Sequence, residues 1–183
     1  MNKWLTSAKG KHRAGIGAVI ALVVALGFVA VLVAARNPST SPAMRAIAPV
    51  VVSEAELRDL ALRTGQPIYW AGPREGSFYE LSRTKQNDAY VRYVPPGTPA
   101  GANGGEYLTV ATFPFVGAST SLESIANGNG IELPGGGFAL VDPVYASSVH
   151  LAFPFVDYQM EVYDPSPERA RAIATSGKVQ PIR

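Results

Sequence analysis

The sequence predicts an α+β fold: an N-terminal transmembrane helix followed by one extracytoplasmic domain, in which about three helices cover one face of a mainly antiparallel sheet. Two observations indicate this class. An apolar run of 22 residues without a charge, residues 14–35, comes before every other predicted element. Beyond residue 50, short segments of alternating apolar and polar residues are separated by short loops, which is typical of antiparallel strands.

The apolar run at residues 14–35 is long enough to cross a bilayer. As a helix it would reach about 33 Å, against a hydrocarbon core of about 30 Å. A cleaved signal peptide is one alternative, although its apolar region is usually about 7–15 residues long. A buried core helix is another, although no polar stripe interrupts the run. We expect a retained single-pass signal anchor at the cell membrane.

Basic residues on the two sides of this run set its expected orientation. Residues 1–13 carry four Lys or Arg, and two follow the run closely, so residues 1–13 are expected to be a cytoplasmic tail. The C-terminal domain would then lie outside the cytoplasm. Within the run, Gly17, Ala21 and Ala25 share one helix face, a pattern that favours weak homo-association. The lipid bilayer is the other partner that the run predicts.

The charge of the chain is unevenly distributed. Residues 1–45 contain six of the 16 Lys and Arg residues and none of the 14 Asp and Glu residues, so the remainder is mildly acidic. This distribution argues against nucleic-acid binding, which needs a basic patch on the folded domain. Because the chain has no cysteine, disulfides, thiolate nucleophiles and cysteine metal sites are excluded.

The folded domain is expected at residues 50–183, after a proline-rich linker at residues 36–49. Its first element is predicted to be a helix at residues 53–64. Ser53 and Glu56 have the spacing of a capping box, in which each side chain accepts a hydrogen bond from the other residue's backbone.

Strands and one more helix are predicted in the middle of the domain. A helix is expected at residues 119–126, before an Asn-Gly-rich stop. The strand segments are rich in aromatic and β-branched residues and are bounded by turn residues; they cover residues 67–71, 78–83, 89–94, 107–113 and 138–141. Residues 78–83 and 89–94 are expected to form a hairpin around residues 85–88.

A second hairpin is predicted at residues 148–153 and 158–163, where large apolar residues occupy every second position. Its register places His150 opposite Glu161 on the polar face. A third helix should follow, with Ser166 as its N-cap. Residues 179–182 complete the domain as an edge strand or tail.

Three stretches of the domain resemble uncharacterised single-pass membrane-anchored proteins of actinobacteria. They read AYVRYVPPG, YLTVATFPF and LAFPFVDYQMEVYDPSP, and the resemblance covers most of residues 54–183. It implies a membrane-anchored surface domain. It brings no activity, and no functional residue is carried over from it.

Residues that could support catalysis or bind a cofactor or metal are scarce. His150 is the single histidine of the predicted domain, and we interpret His150 and Glu161 as an exposed cross-strand pair. The glycine-rich segments have neither the P-loop nor the dinucleotide-binding spacing. The aspartates do not have calcium-loop spacing. We therefore assign no catalytic, metal or cofactor-binding residue and expect no cofactor.

Aromatic residues on the predicted strands are the remaining indication of function. Trp70, with the neighbouring Arg74, is the first candidate for an exposed binding platform. The favoured hypothesis is a non-catalytic, membrane-tethered interaction domain that binds an envelope protein or polymer. The alternative is a small membrane-tethered envelope hydrolase that uses carboxylates or His150.

Overall fold

The computed structural model describes residues 46–102 and 105–183. The elements of these residues follow in the order β1 (Ile47–Val52), α1 (Glu54–Arg63), β2 (Tyr69–Trp70), β3 (Phe78–Arg83), β4 (Ala89–Val94), β5 (Thr109–Pro114), α2 (Ala118–Ala126), β6 (Ile131–Glu132), β7 (Phe138–Val141), β8 (Ser148–Ala152), β9 (Tyr158–Tyr163), α3 (Pro167–Thr175) and β10 (Gln180–Pro181).

Eight of these strands form one antiparallel sheet in the order β1-β3-β4-β5-β9-β8-β7-β6. The strands β2 and β10 form a separate antiparallel pair. The antiparallel sheet and the three helices agree with the sequence prediction. The hairpins β3–β4 and β8–β9 also form as predicted, because the turn residues and the alternation of apolar residues fix their register locally.

The helices lie on both faces of the large sheet. Leu57 of α1 and Ala170 of α3 belong to the main apolar core, together with Leu151 of β8. Leu122 of α2 packs in a second cluster with Ala152, the next residue of β8, which points to the opposite face. The expectation that the helices cover one face is therefore wrong for α2.

The transmembrane part of the fold-class prediction is corrected by the structure. The longest helix that it describes, α1, has ten residues and is therefore about 15 Å long, half of what a bilayer core requires. No helix in residues 46–102 and 105–183 is long and apolar enough to cross a membrane. The predicted anchor at residues 14–35, the tail at residues 1–13 and the stripe of Gly17, Ala21 and Ala25 lie outside the described residues.

The sequence prediction missed the strand that comes before the first helix. Ile47–Val52 pairs with β3 at the edge of the sheet, so residues 47–49 belong to a strand although we assigned them to the linker. Proline at position 49 masked the strand pattern, and edge strands tolerate proline. Helix α1 starts as predicted, with both hydrogen bonds of the Ser53–Glu56 capping box formed.

A buried ion pair holds the β4–β5 connection against the sheet. Arg92 Nη1 donates to Glu80 Oε1 across the β3–β4 hairpin at 2.6 Å, and Arg92 Nη2 donates to the Ala102 carbonyl at 3.0 Å. The backbone N–H of Gly101 donates to Glu80 Oε2 at 2.6 Å. The pair therefore joins two strands and the loop, and Glu80 is only 2% exposed.

Candidate functional site

The β8–β9 turn carries a phenylalanine in an unfavourable backbone conformation. The N–H of Val156 donates to the carbonyl of Phe153 at 3.3 Å, which closes a four-residue turn with Pro154 second and Phe155 third. Phe155 has a φ of 61°. Proline second and a positive φ third are the features of a type II turn, whose third position favours glycine or asparagine.

Phe155 is an exception among the described residues with positive φ. The other such residues are glycines, Asn87 and Asn127, which tolerate this region of backbone space. The Phe155 side chain is fully exposed, so burial of its ring does not offset the backbone cost within the domain. An aromatic side chain at this position is therefore unfavourable for two reasons: its backbone has a positive φ, and its apolar ring is exposed to water.

A second turn lies beside the first and exposes another apolar side chain. The N–H of Phe115 donates to the Asp157 carbonyl at 2.9 Å, and the N–H of Gly117 donates to Asp157 Oδ1 at 3.3 Å. Val116, between these two residues, is 65% exposed. We call Val116 and Phe155 the apolar tip.

A buried polar cluster occupies the face of the sheet that α2 covers. His150 Nε2 lies 3.3 Å from Asp142 Oδ2, and His150 Nδ1 lies 3.0 Å from Gln159 Nε2. With the amide nitrogen of Gln159 facing Nδ1, that ring nitrogen accepts and Nε2 carries the hydrogen towards Asp142. Ser148 Oγ donates to Glu161 Oε1 at 2.7 Å. The hydroxyl is thus held by the glutamate.

Hydrogen bonds set the charge of Asp142 in this cluster. Burial alone would raise the pKa of Asp142, but other interactions outweigh it. They are the hydrogen bond from His150, those from the N–H groups of Tyr145 and Val144, and the attraction of His150, and together they lower the pKa below its ordinary value of 3.8. The ionised carboxylate is thereby favoured in the folded protein.

Replacing Asp142 with asparagine is expected to lower the free energy of unfolding by about 1–3 kcal/mol at pH 7. The single amide oxygen cannot accept both from the N–H groups of Val144 and Tyr145 and from His150, as the two carboxylate oxygens do. The folded-state pKa lies below the unfolded one. The stabilisation from ionised Asp142 is therefore complete above the unfolded value and is lost as pH falls through the folded value. Chemical denaturation from pH 7 to pH 2 should show the difference between wild type and Asp142→Asn narrowing below about pH 4. A difference independent of pH would contradict this account.

Trp70, the candidate for a binding platform, is 4% exposed and belongs to the core. Its ring meets the Tyr79 ring edge-on at a centroid distance of 5.7 Å, and the guanidinium of Arg58 in α1 lies 4.9 Å from its centroid. Arg74 lies in an exposed loop, where its N–H donates to the Tyr79 hydroxyl. Trp70 is therefore not an exposed platform.

His150 and Glu161 are opposite each other in the β8–β9 register, but they are not a surface pair. They are 1% and 4% exposed. Alternation places them on the same face as Leu140 and Ala152, which pack under α2. The sequence could not reveal this covering, because α2 is distant along the chain.

No part of the apolar tip was selected from the sequence. One local indication was available, since Pro154-Phe155 occupies the two central positions of a hairpin turn where proline-glycine would be typical. In the neighbouring turn, the N–H of Ala118 donates to the Phe115 carbonyl. Gly117, with a φ of 73°, occupies the position equivalent to Phe155. The two turns therefore differ in the one residue whose backbone conformation matters.

These observations define a small α+β domain with a buried polar cluster and an exposed apolar tip. In residues 46–102 and 105–183, no group of three or more His, Asp and Glu side chains is placed to hold a metal ion. No protein-family model matches the chain, and comparisons with curated proteins and with solved structures also found no match. The resemblance to actinobacterial proteins stays a prediction.

Proposed function

We propose that the domain is a non-catalytic interaction module that binds a partner protein through the apolar tip. The observation that carries the proposal is Phe155, a fully exposed aromatic residue with a positive φ. Residues in such conformations cost about 1–3 kcal/mol and cluster at functional sites. A partner with an apolar pocket would desolvate the ring and use a large contact area with few rotatable bonds.

The geometry of the polar cluster favours binding over hydrolysis. A catalytic histidine needs access to substrate and a nucleophile within hydrogen-bond reach. His150 is buried and its two ring nitrogens face Asp142 and Gln159, while the Ser148 hydroxyl donates to Glu161. The cluster therefore supports a structural role in fixing β7, β8 and β9.

Site-specific photocrosslinking tests the proposal. We would place a photoreactive phenylalanine analogue at position 155 of the full-length chain, in cells that produce this protein naturally. The control is the same analogue at Val144, which is also exposed and apolar, at 70%. We expect one discrete product from position 155 and none from position 144. Equal products from both positions, or no product from position 155, would overturn the proposal.

A further inference from the structure

A pocket that can take an aromatic ring opens beside the turn that carries Phe155. Its volume is about 180 Å³. For comparison, an engineered apolar cavity of about 150 Å³ binds benzene. The pocket lies where β2 and β10 meet the end of α3 and the β6–β7 connection. Its main lining residues are Tyr69, Leu133, Pro134, Phe153, Val179 and Pro181.

We propose that the partner bound by the apolar tip is a second copy of this chain, and that each Phe155 ring enters the pocket of the other copy. The inference rests on the proposed function of the tip. Phe153 lines the pocket and Phe155 follows two residues later in the same turn. Because the ring and the pocket lie close together in one copy, two copies related by a two-fold axis can each insert a ring into the pocket of the other. This arrangement gives a closed dimer.

Charges beside the two surfaces are complementary. Asp157 is exposed next to the tip, and Lys178 is exposed between the pocket residues Gly177 and Val179. We expect Asp157 to approach Lys178 of the other copy when Phe155 enters its pocket, because Asp157 follows Phe155 by two residues and Lys178 lies between two residues that line the pocket. A reciprocal dimer has two such pairs, which favours this register over a shifted one.

The area of the contact indicates a weak dimer. Two buried phenylalanine side chains remove about 300–500 Å² from water, whereas stable interfaces bury about 1,200–2,000 Å². Dimer formation is therefore expected to be reversible and to depend on the local concentration of the chain.

Crosslinking between two copies tests the inference, and the lack of cysteine in the chain makes it specific. Two differently tagged full-length chains, one with Asp157→Cys and one with Lys178→Cys, are produced together and treated with a short bismaleimide. We expect a crosslinked pair that carries both tags. Replacing Lys178→Cys by Glu106→Cys should remove the product, because Glu106 is exposed and its neighbour Gly105 contacts Tyr163 at the end of β9 that lies away from the β8–β9 turn. Adding Phe155→Gly to both chains should remove it as well.

Charge exchange gives a second readout in the absence of introduced cysteines. In wild-type background, Asp157→Lys and Lys178→Asp should each lower dimer formation several-fold in sedimentation of the full-length chain, and the double variant should restore it. The inference would be overturned if no crosslinked pair carried both tags, or if the crosslink formed despite Phe155→Gly. It would also be overturned if the double charge variant failed to recover dimer formation. If position 155 instead crosslinks to a different protein, the second copy is wrong as the partner while the proposed function stands. If it crosslinks to nothing, both are wrong.

Discussion

Replacing Phe155 with glycine is expected to abolish partner binding and to leave the domain at least as stable as the wild type. The side chain is fully exposed, so no buried area is lost. Relief of the left-handed backbone is worth about 1–2 kcal/mol, and the added freedom of glycine in the unfolded chain offsets about 0.4–1 kcal/mol of it. Chemical denaturation should therefore show a free energy of unfolding that is unchanged or up to about 1.6 kcal/mol higher.

Two further substitutions separate the contribution of the Phe155 ring from that of the strained backbone conformation. Phe155→Ala removes the ring and keeps the strained φ, so it should lose binding equally but be less stable than Phe155→Gly. Gly117→Ala makes the reverse change in the neighbouring turn, where an added Cβ meets no atom within 4 Å, and should destabilise by about 1 kcal/mol. A Phe155→Gly variant clearly less stable than wild type would show that the ring serves the fold.

Replacing Arg92 with alanine is expected to lower the free energy of unfolding by about 3–5 kcal/mol, the usual cost of removing one partner of a buried ion pair. Glu80 would stay buried with the Gly101 N–H as its remaining partner among the hydrogen bonds described above. The contact of the guanidinium with the Tyr107 ring, at 5.3 Å, would also be lost. Chemical denaturation measures the loss, and proteolysis within residues 95–107 should accelerate as the loop is released.

Arg63→Ala provides the matched control for this variant. Arg63 pairs with Asp59 on α1, where both side chains are more than 60% exposed, and such surface pairs contribute about 0–1 kcal/mol. Arg92→Lys should fall between the two alanine variants, because one ammonium cannot reproduce the planar fork that reaches both Glu80 and the Ala102 carbonyl. If Arg92→Ala and Arg63→Ala have equal effects, the buried pair does not stabilise the loop.

The elements that the sequence predicted well are those whose determinants are local. The Ser53–Glu56 capping box and the Ser166 N-cap begin helices where expected, since caps depend on residues three positions apart. The β8–β9 hairpin forms in the expected register, because a one-residue slip would turn its apolar side chains to the wrong face.

The errors concern features that depend on distant parts of the chain. Nothing near His150 indicates that α2 covers it, and nothing near Trp70 indicates that β10 and α1 enclose it. Burial of these two residues follows from sheet order, which local patterns do not specify. The apolar tip was missed for a different reason: an exposed phenylalanine in a turn becomes informative only when its φ is known.

The yield of a photocrosslink from position 116 tests the central claim most directly. A photoreactive phenylalanine analogue is placed at Val116, the other residue of the apolar tip, in the full-length wild type and in Phe155→Gly, after circular dichroism has shown that both are folded. The account predicts that Phe155→Gly lowers the yield of the discrete product at least about tenfold, a difference of about 1.4 kcal/mol in binding free energy. Equal yields from the two chains would contradict it, since the Phe155 ring would then contribute nothing to the interaction.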